Sequence, residues 1–202
     1  MKKQILNSCI AAALLGLVSV NSQAATISLS PTSSTNIMTG DAVSFNIFVD
    51  AVDVGGILAG GLDLFYDIGI LNYNSDFAFD PGFPTDLAFS RLGDDCATTL
   101  TANCSGPGEI NGIAFGNFGG LAASGPTLVG SLSFTGINLG TSSLAMADND
   151  LPAGAWFSTD GSPIVMTYDG SSVTVSAIPV PAAVWLFGSG LLGLIGVTRR
   201  RA

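Results

Sequence analysis

The sequence predicts an all-β domain, a single β-sandwich of about nine strands. Three observations predict it. Apolar residues alternate with polar ones in short runs. Clusters of Gly, Asn, Asp and Pro part those runs. No stretch of residues 25–178 carries the 3.6-residue period of an amphipathic helix. The composition agrees, since 26 glycines and only 10% charged residues leave few strong helix formers.

Ile27 and Leu29 open the series. After the turn Thr39-Gly40-Asp41, Val43, Phe45, Ile47 and Val49 alternate with Ala42, Ser44, Asn46 and Phe48. Leu62, Leu64 and Tyr66 alternate with Asp63, Phe65 and Asp67. Asp80-Pro81-Gly82 and Ser105-Gly106-Pro107-Gly108 are turns. Ile110, Ile113 and Phe115 form a less regular strand. Leu128, Gly130, Leu132 and Phe134 take one face, and Val129, Ser131 and Ser133 the other. Ile164, Met166 and Tyr168 precede the turn Asp169-Gly170, and Val173 and Val175 close the series.

The two ends stand apart from this domain. Lys2 and Lys3, the apolar core of residues 10–20, and Ser22-Gln23-Ala24 have the three-part order of a secretory signal over residues 1–24, cleaved after Ala24. At the other end Pro179-Val180-Pro181 precedes an apolar run, residues 182–197, then Arg199-Arg200-Arg201. The run is long enough for a single membrane helix, and the arginines place its far end in the cytoplasm. Residues 25–178 form the domain between these ends.

Charge separates the ends from the body. The chain has six Lys+Arg, fifteen Asp+Glu and no His. Only Arg91 lies in residues 25–178, and one base against fifteen acids leaves −14 there. Such a surface repels nucleic acid. Without His there is no Ser-His-Asp or Cys-His catalyst and no imidazole metal site. No Asp-Thr-Gly or Asp-Ser-Gly motif of an aspartic protease occurs. A hydrolase working through a carboxylate pair is the surviving enzymatic alternative. Cys96 and Cys104, an even pair in an exported body, are expected to form a disulfide that contributes about 2–3 kcal/mol.

The C-terminal residues carry a family resemblance. Pro179-Val180-Pro181, the Gly-rich apolar run and the terminal Arg199, Arg200 and Arg201 resemble the PEP-CTERM sorting signal of Gram-negative bacteria. The family's usual middle Glu is Val180 here. The resemblance implies export, transient retention in the inner membrane and cleavage near the proline motif by an exosortase-type protease. It also implies a cell-surface or extracellular destination among exopolysaccharide and biofilm matrix.

The body carries a second resemblance. Its motifs, in order, are Thr39-Gly40-Asp41, then Tyr66-Asp67 before Ile70-Leu71, then Gly140-Thr141-Ser142-Ser143-Leu144, and last Gly170-Ser171-Ser172-Val173-Thr174-Val175. That order is similar to cohesin domains, nine-stranded jelly rolls related to carbohydrate-binding sandwiches, and the resemblance implies a late turn at Gly140-Thr141-Ser142-Ser143. Dockerin binding, the best-known family activity, is not carried over. The segment from Asp80 to Pro107 departs from the family's compact pattern.

Two kinds of residue are binding candidates. Asp148-Asn149-Asp150 places two carboxylates in a turn, so Asp148 and Asp150 are the candidate Ca²⁺ ligands, against a reading as solvated turn acids. Among the rings of the body, Trp156 is the only Trp and sits in a Gly- and Pro-flanked segment. It is the ring to test as an exposed sugar-stacking platform, against a reading as a core ring. The function expected is non-enzymatic: a structural or adhesive surface protein with exopolysaccharide or another surface protein as partner.

Overall fold

A computed structural model describes residues 24–84, 90–97, 104–121, 125–149 and 155–178, together with 186, 187, 189 and 190. The secretory signal and the sorting segment therefore lie outside the described residues, apart from Ala24 and those last four. Among the described residues no helix is long and apolar enough to cross a membrane.

Thirteen strands follow one another: β1 (Ala24–Ser30), β2 (Thr35–Met38), β3 (Ala42–Asp50), β4 (Ile57–Phe65), β5 (Leu71–Tyr73), β6 (Ala78–Phe79), β7 (Arg91–Asp95), β8 (Glu109–Leu121), β9 (Thr127–Gly136), β10 (Gly140–Asp148), β11 (Phe157–Ser158), β12 (Val165–Asp169) and β13 (Ser171–Ser176). They form two sheets. The first runs β12-β1-β3-β9-β5, with β6 also on β9. The second runs β2-β13-β10-β4-β8-β7, with β11 also on β4. The expected sandwich is present, with more and shorter strands than the nine expected.

Two chain segments change sheets side by side. β1 pairs parallel with β12 in the first sheet, and β2 pairs parallel with β13 in the second. The chain crosses between them at the cis Ser30–Pro31 bond and again at Gly170. Ser171 Oγ donates to Pro31 O at 2.7 Å and ties the crossings together. Gly170 is needed there, because a Cβ would sit 2.3 Å from Leu144 O.

The inward residues of both sheets make one apolar core around Phe45, Phe115 and Phe134. Phe134 is ringed by Phe45, Tyr66 and Tyr73 at centroid distances of 6.4, 5.1 and 5.6 Å. Two expectations change. The Gly140-Thr141-Ser142-Ser143 segment is strand rather than turn. Its inward positions Ser142, Leu144 and Met146 are buried, and the small residues merely hide the period. In β9 the pairing with β3 slips at Ile47/Phe48, so Val129 is fully buried while Leu128 is left half-buried. An extra residue in a strand moves later side chains to the opposite face.

Candidate functional site

Trp156 lies in the core. It is 2% exposed and meets Phe115 edge-on, with centroids 5.3 Å apart. Room for it exists because β4 has a glycine beneath it: a Cβ on Gly60 would lie 2.1 Å from the indole. The exposed-platform reading of Trp156 is thereby corrected. A buried indole still needs a partner for its N–H. Nε1 donates to the Tyr168 hydroxyl at 3.0 Å, and that hydroxyl donates to Asp148 Oδ1 at 2.5 Å. Tyr168 reaches from the edge of one sheet to β10 of the other, so the chain of bonds closes the open side of the sandwich. Burial and the Asp148 acceptor push the Tyr168 phenol well above the ordinary tyrosine range.

Asp148 thus accepts a bond that holds the sheets together. Its expected cation partner Asp150 lies outside the described residues. Among the described residues no group of three or more Cys, Asp or Glu is placed to hold a metal ion.

Cys96 and Cys104 form the expected disulfide, with Cα atoms 5.7 Å apart. It links the end of β7 to the approach of β8, where Cys96 N–H donates to Glu109 O at 3.0 Å.

The sequence did not reveal that the outer face of the second sheet buries acids. Asp63 is 5% exposed and Glu109 2%. Asp63 Oδ1 accepts from Gly112 N–H at 2.7 Å and from Asn149 Nδ2 at 2.5 Å. Glu109 accepts from Ser105 N–H at 2.7 Å and from Asn111 Nδ2 at 2.9 Å. Gly112 takes a positive φ of 76° at a bulge opposite Asp63, which aims its N–H at the carboxylate. Both carboxylates are tied to donors of the sheet and of the loops beside it, as buried charges must be. The only hint in the sequence was Asp63 standing between leucines.

Among the described residues, three concavities have polar side chains on their walls. A groove of about 380 Å³ lies where the two crossings meet β10, with Thr32, Met146, Tyr168 and Ser171 on its walls. A recess of about 180 Å³ lies between Ser75, Leu92 and Asp95. A third, of about 270 Å³, opens on the outer face of the first sheet. There Asn46 and Ser131 stand directly opposite each other on β3 and β9, and Ala78 of β6 stands opposite Ser131. Asp80 and Pro81 form its rim. The Asp80 turn is fixed by Asp80 N–H to Val129 O at 2.9 Å and by Gly82 N–H to Asp80 Oδ1 at 2.8 Å.

No family model matches the chain, and no curated protein matches it. Solved structures do, cohesin domains among them. One is the OlpC cohesin of Clostridium thermocellum, solved in a type I cohesin–dockerin complex. It has 15% identity over 76% of this chain and 94% of that one, with a TM-score of 0.56. The seventh ScaB type I cohesin of Pseudobacteroides cellulosolvens has 20% identity, 78% and 95% coverage, and a TM-score of 0.55. A non-cellulosomal cohesin of the hyperthermophilic archaeon Archaeoglobus fulgidus has 12% identity, 76% and 91% coverage, and a TM-score of 0.50. The described domain is a cohesin-like β-sandwich.

Proposed function

We propose that this chain is a non-enzymatic, exported adhesive module of the cell surface or extracellular matrix. The observation that carries the reading is the cohesin-like sandwich itself, the fold of domains solved in complex with dockerin partners. The buried acids support it. Asp63 and Glu109 are both held by internal donors, which suits structure better than a hydrolase's acid and base facing a cleft. Its partner is an exopolysaccharide or a surface protein.

Delivery is part of the proposal. Residues 1–24 direct export. Pro179, Val180 and Pro181, the apolar run and Arg199, Arg200 and Arg201 hold the chain in the inner membrane until an exosortase-type protease cuts it. A cut after Ala24 leaves Ala25 paired with Met166 in the β1–β12 ladder. Intact-mass spectrometry of the protein from its native cells tests this. The expected species begins at Ala25 and ends near residue 178. A surface species retaining residues 182–202 rejects processing and leaves a membrane-anchored protein.

A further inference from the structure

We propose that the groove of about 270 Å³ on the outer face of the first sheet is a binding subsite for a neutral sugar unit, an inference that rests on the surface-matrix reading above. Its lining carries unspent hydrogen-bonding capacity. The Asn46 amide, the Ser131 hydroxyl and Asp80 Oδ2 have no partner among the described residues. Several such groups elsewhere are used internally. Asn74 bonds Ser133, Asn117 bonds Pro84 O, Asn138 bonds Gly69 O, and Asp76 takes both the N–H and the hydroxyl of Ser133. The groove therefore presents an amide, a hydroxyl and a carboxylate oxygen together, free to exchange bonds with a ligand.

Their placement suits a pyranose. Asn46 and Ser131 are cross-strand neighbours in register. Adjacent strands lie about 4.8 Å apart. That separation is of the order of the distance between hydroxyls on alternate carbons of a sugar ring. Leu128, Pro81 and Phe79 supply carbon surface for the ring's C–H face. Gly130 also lines the groove, and it lets β6 approach closely, because a Cβ there would lie 2.4 Å from Ala78 O. The donors also sit on a fixed frame, the β3–β9 ladder and the bonded Asp80 turn, so little ordering is lost on binding.

Charge selects among sugars. The groove holds no cation, and Arg91, the only base of the body, pairs with Asp94 at 2.9 Å. An anionic polymer would meet Asp80 with no counter-charge. An extended peptide fits poorly for another reason. The groove lies on a sheet face, where β3 and β9 already spend their backbone groups on each other.

Affinity electrophoresis of the exported protein in gels containing dextran, galactomannan or alginate tests the subsite. The protein is expected to be retarded by at least one of the two neutral polymers and not by alginate. Asn46→Ala combined with Ser131→Ala removes two bonds, and the apparent affinity is expected to fall about tenfold. Both residues are exposed, so an unchanged melting temperature verifies folding. Asp80→Asn, which keeps the turn acceptor, is expected to weaken retardation as well. Equal retardation of wild type and variants overturns the subsite. So does retardation by neither neutral polymer, or by alginate as strongly as by them. A protein found at the surface by intact mass yet blind to both neutral polymers rejects the groove and leaves the surface reading standing.

Discussion

Tyr66 shows how a single side chain is tuned by its surroundings. It lies in the core against Phe134, with centroids 5.1 Å apart, while its hydroxyl bonds the Asp95 carboxylate. Burial, then the Asp95 charge and hydrogen bond, push its phenol up to about 12. The folded state therefore holds this proton more tightly than the unfolded chain, whose tyrosines ionise near 10. The stability so gained is complete below pH about 10 and is lost as pH rises through about 12. Tyr73 and Tyr168 are shifted in the same direction. The urea midpoint is accordingly expected to fall between pH 9 and pH 11.5 (working values of about the unfolded and folded limits). Tyr66→Phe should flatten that fall, and an unchanged slope would show that Tyr66 does not contribute. Trp156 teaches the complementary lesson. Its uniqueness and flanking turns suggested exposure. The residue that decides its fate is Gly60, distant in the chain, whose missing side chain makes the pocket.

At the scale of elements, irregularities in the strands do the positioning. The Gly112 bulge turns a backbone N–H onto the buried Asp63. Gly112→Ala forces an L side chain into a positive φ and is expected to destabilise the domain by about 1–2 kcal/mol, read from guanidinium unfolding. An effect near zero would mean that the bulge relaxes freely. These devices also set what was legible in the sequence. Strong alternation exposed β1, β3, β4, β9, β12 and β13. The inward residues of β10 are Ser142, Leu144 and Met146 behind a Gly-Thr-Ser-Ser stretch, so its period was masked. β2, β5, β6, β7 and β11 are two to five residues long, too short to show a period. The groove was not legible, because Asn46 and Ser131 become neighbours only through pairing that no local pattern states. The disulfide was legible because only two cysteines remain in the body.

For the whole molecule, charge is unevenly distributed along the chain. The body holds −14 with a single base, and that base is already paired. Self-repulsion of such a surface opposes compaction and is screened by salt, whose Debye length falls to about 10 Å at 0.1 M. The melting temperature of the body is expected to rise by several degrees between 10 mM and about 200 mM sodium chloride. A flat or falling response would show that repulsion does not limit its stability. The parallel pairing of β1 with β12 and of β2 with β13 has a different consequence. Both consecutive strand pairs travel the same way along the sandwich, so the chain enters beside Asp50 and Val165 and leaves beside Gly140 and Met38. At about 3.3 Å per residue, those points are roughly 30 Å apart. A body tethered through the residues after Ser176 would stand off its support by that length. Among the described residues, the Val52–Val54 turn and the start of β12 would then lie at the far end, toward an approaching neighbour.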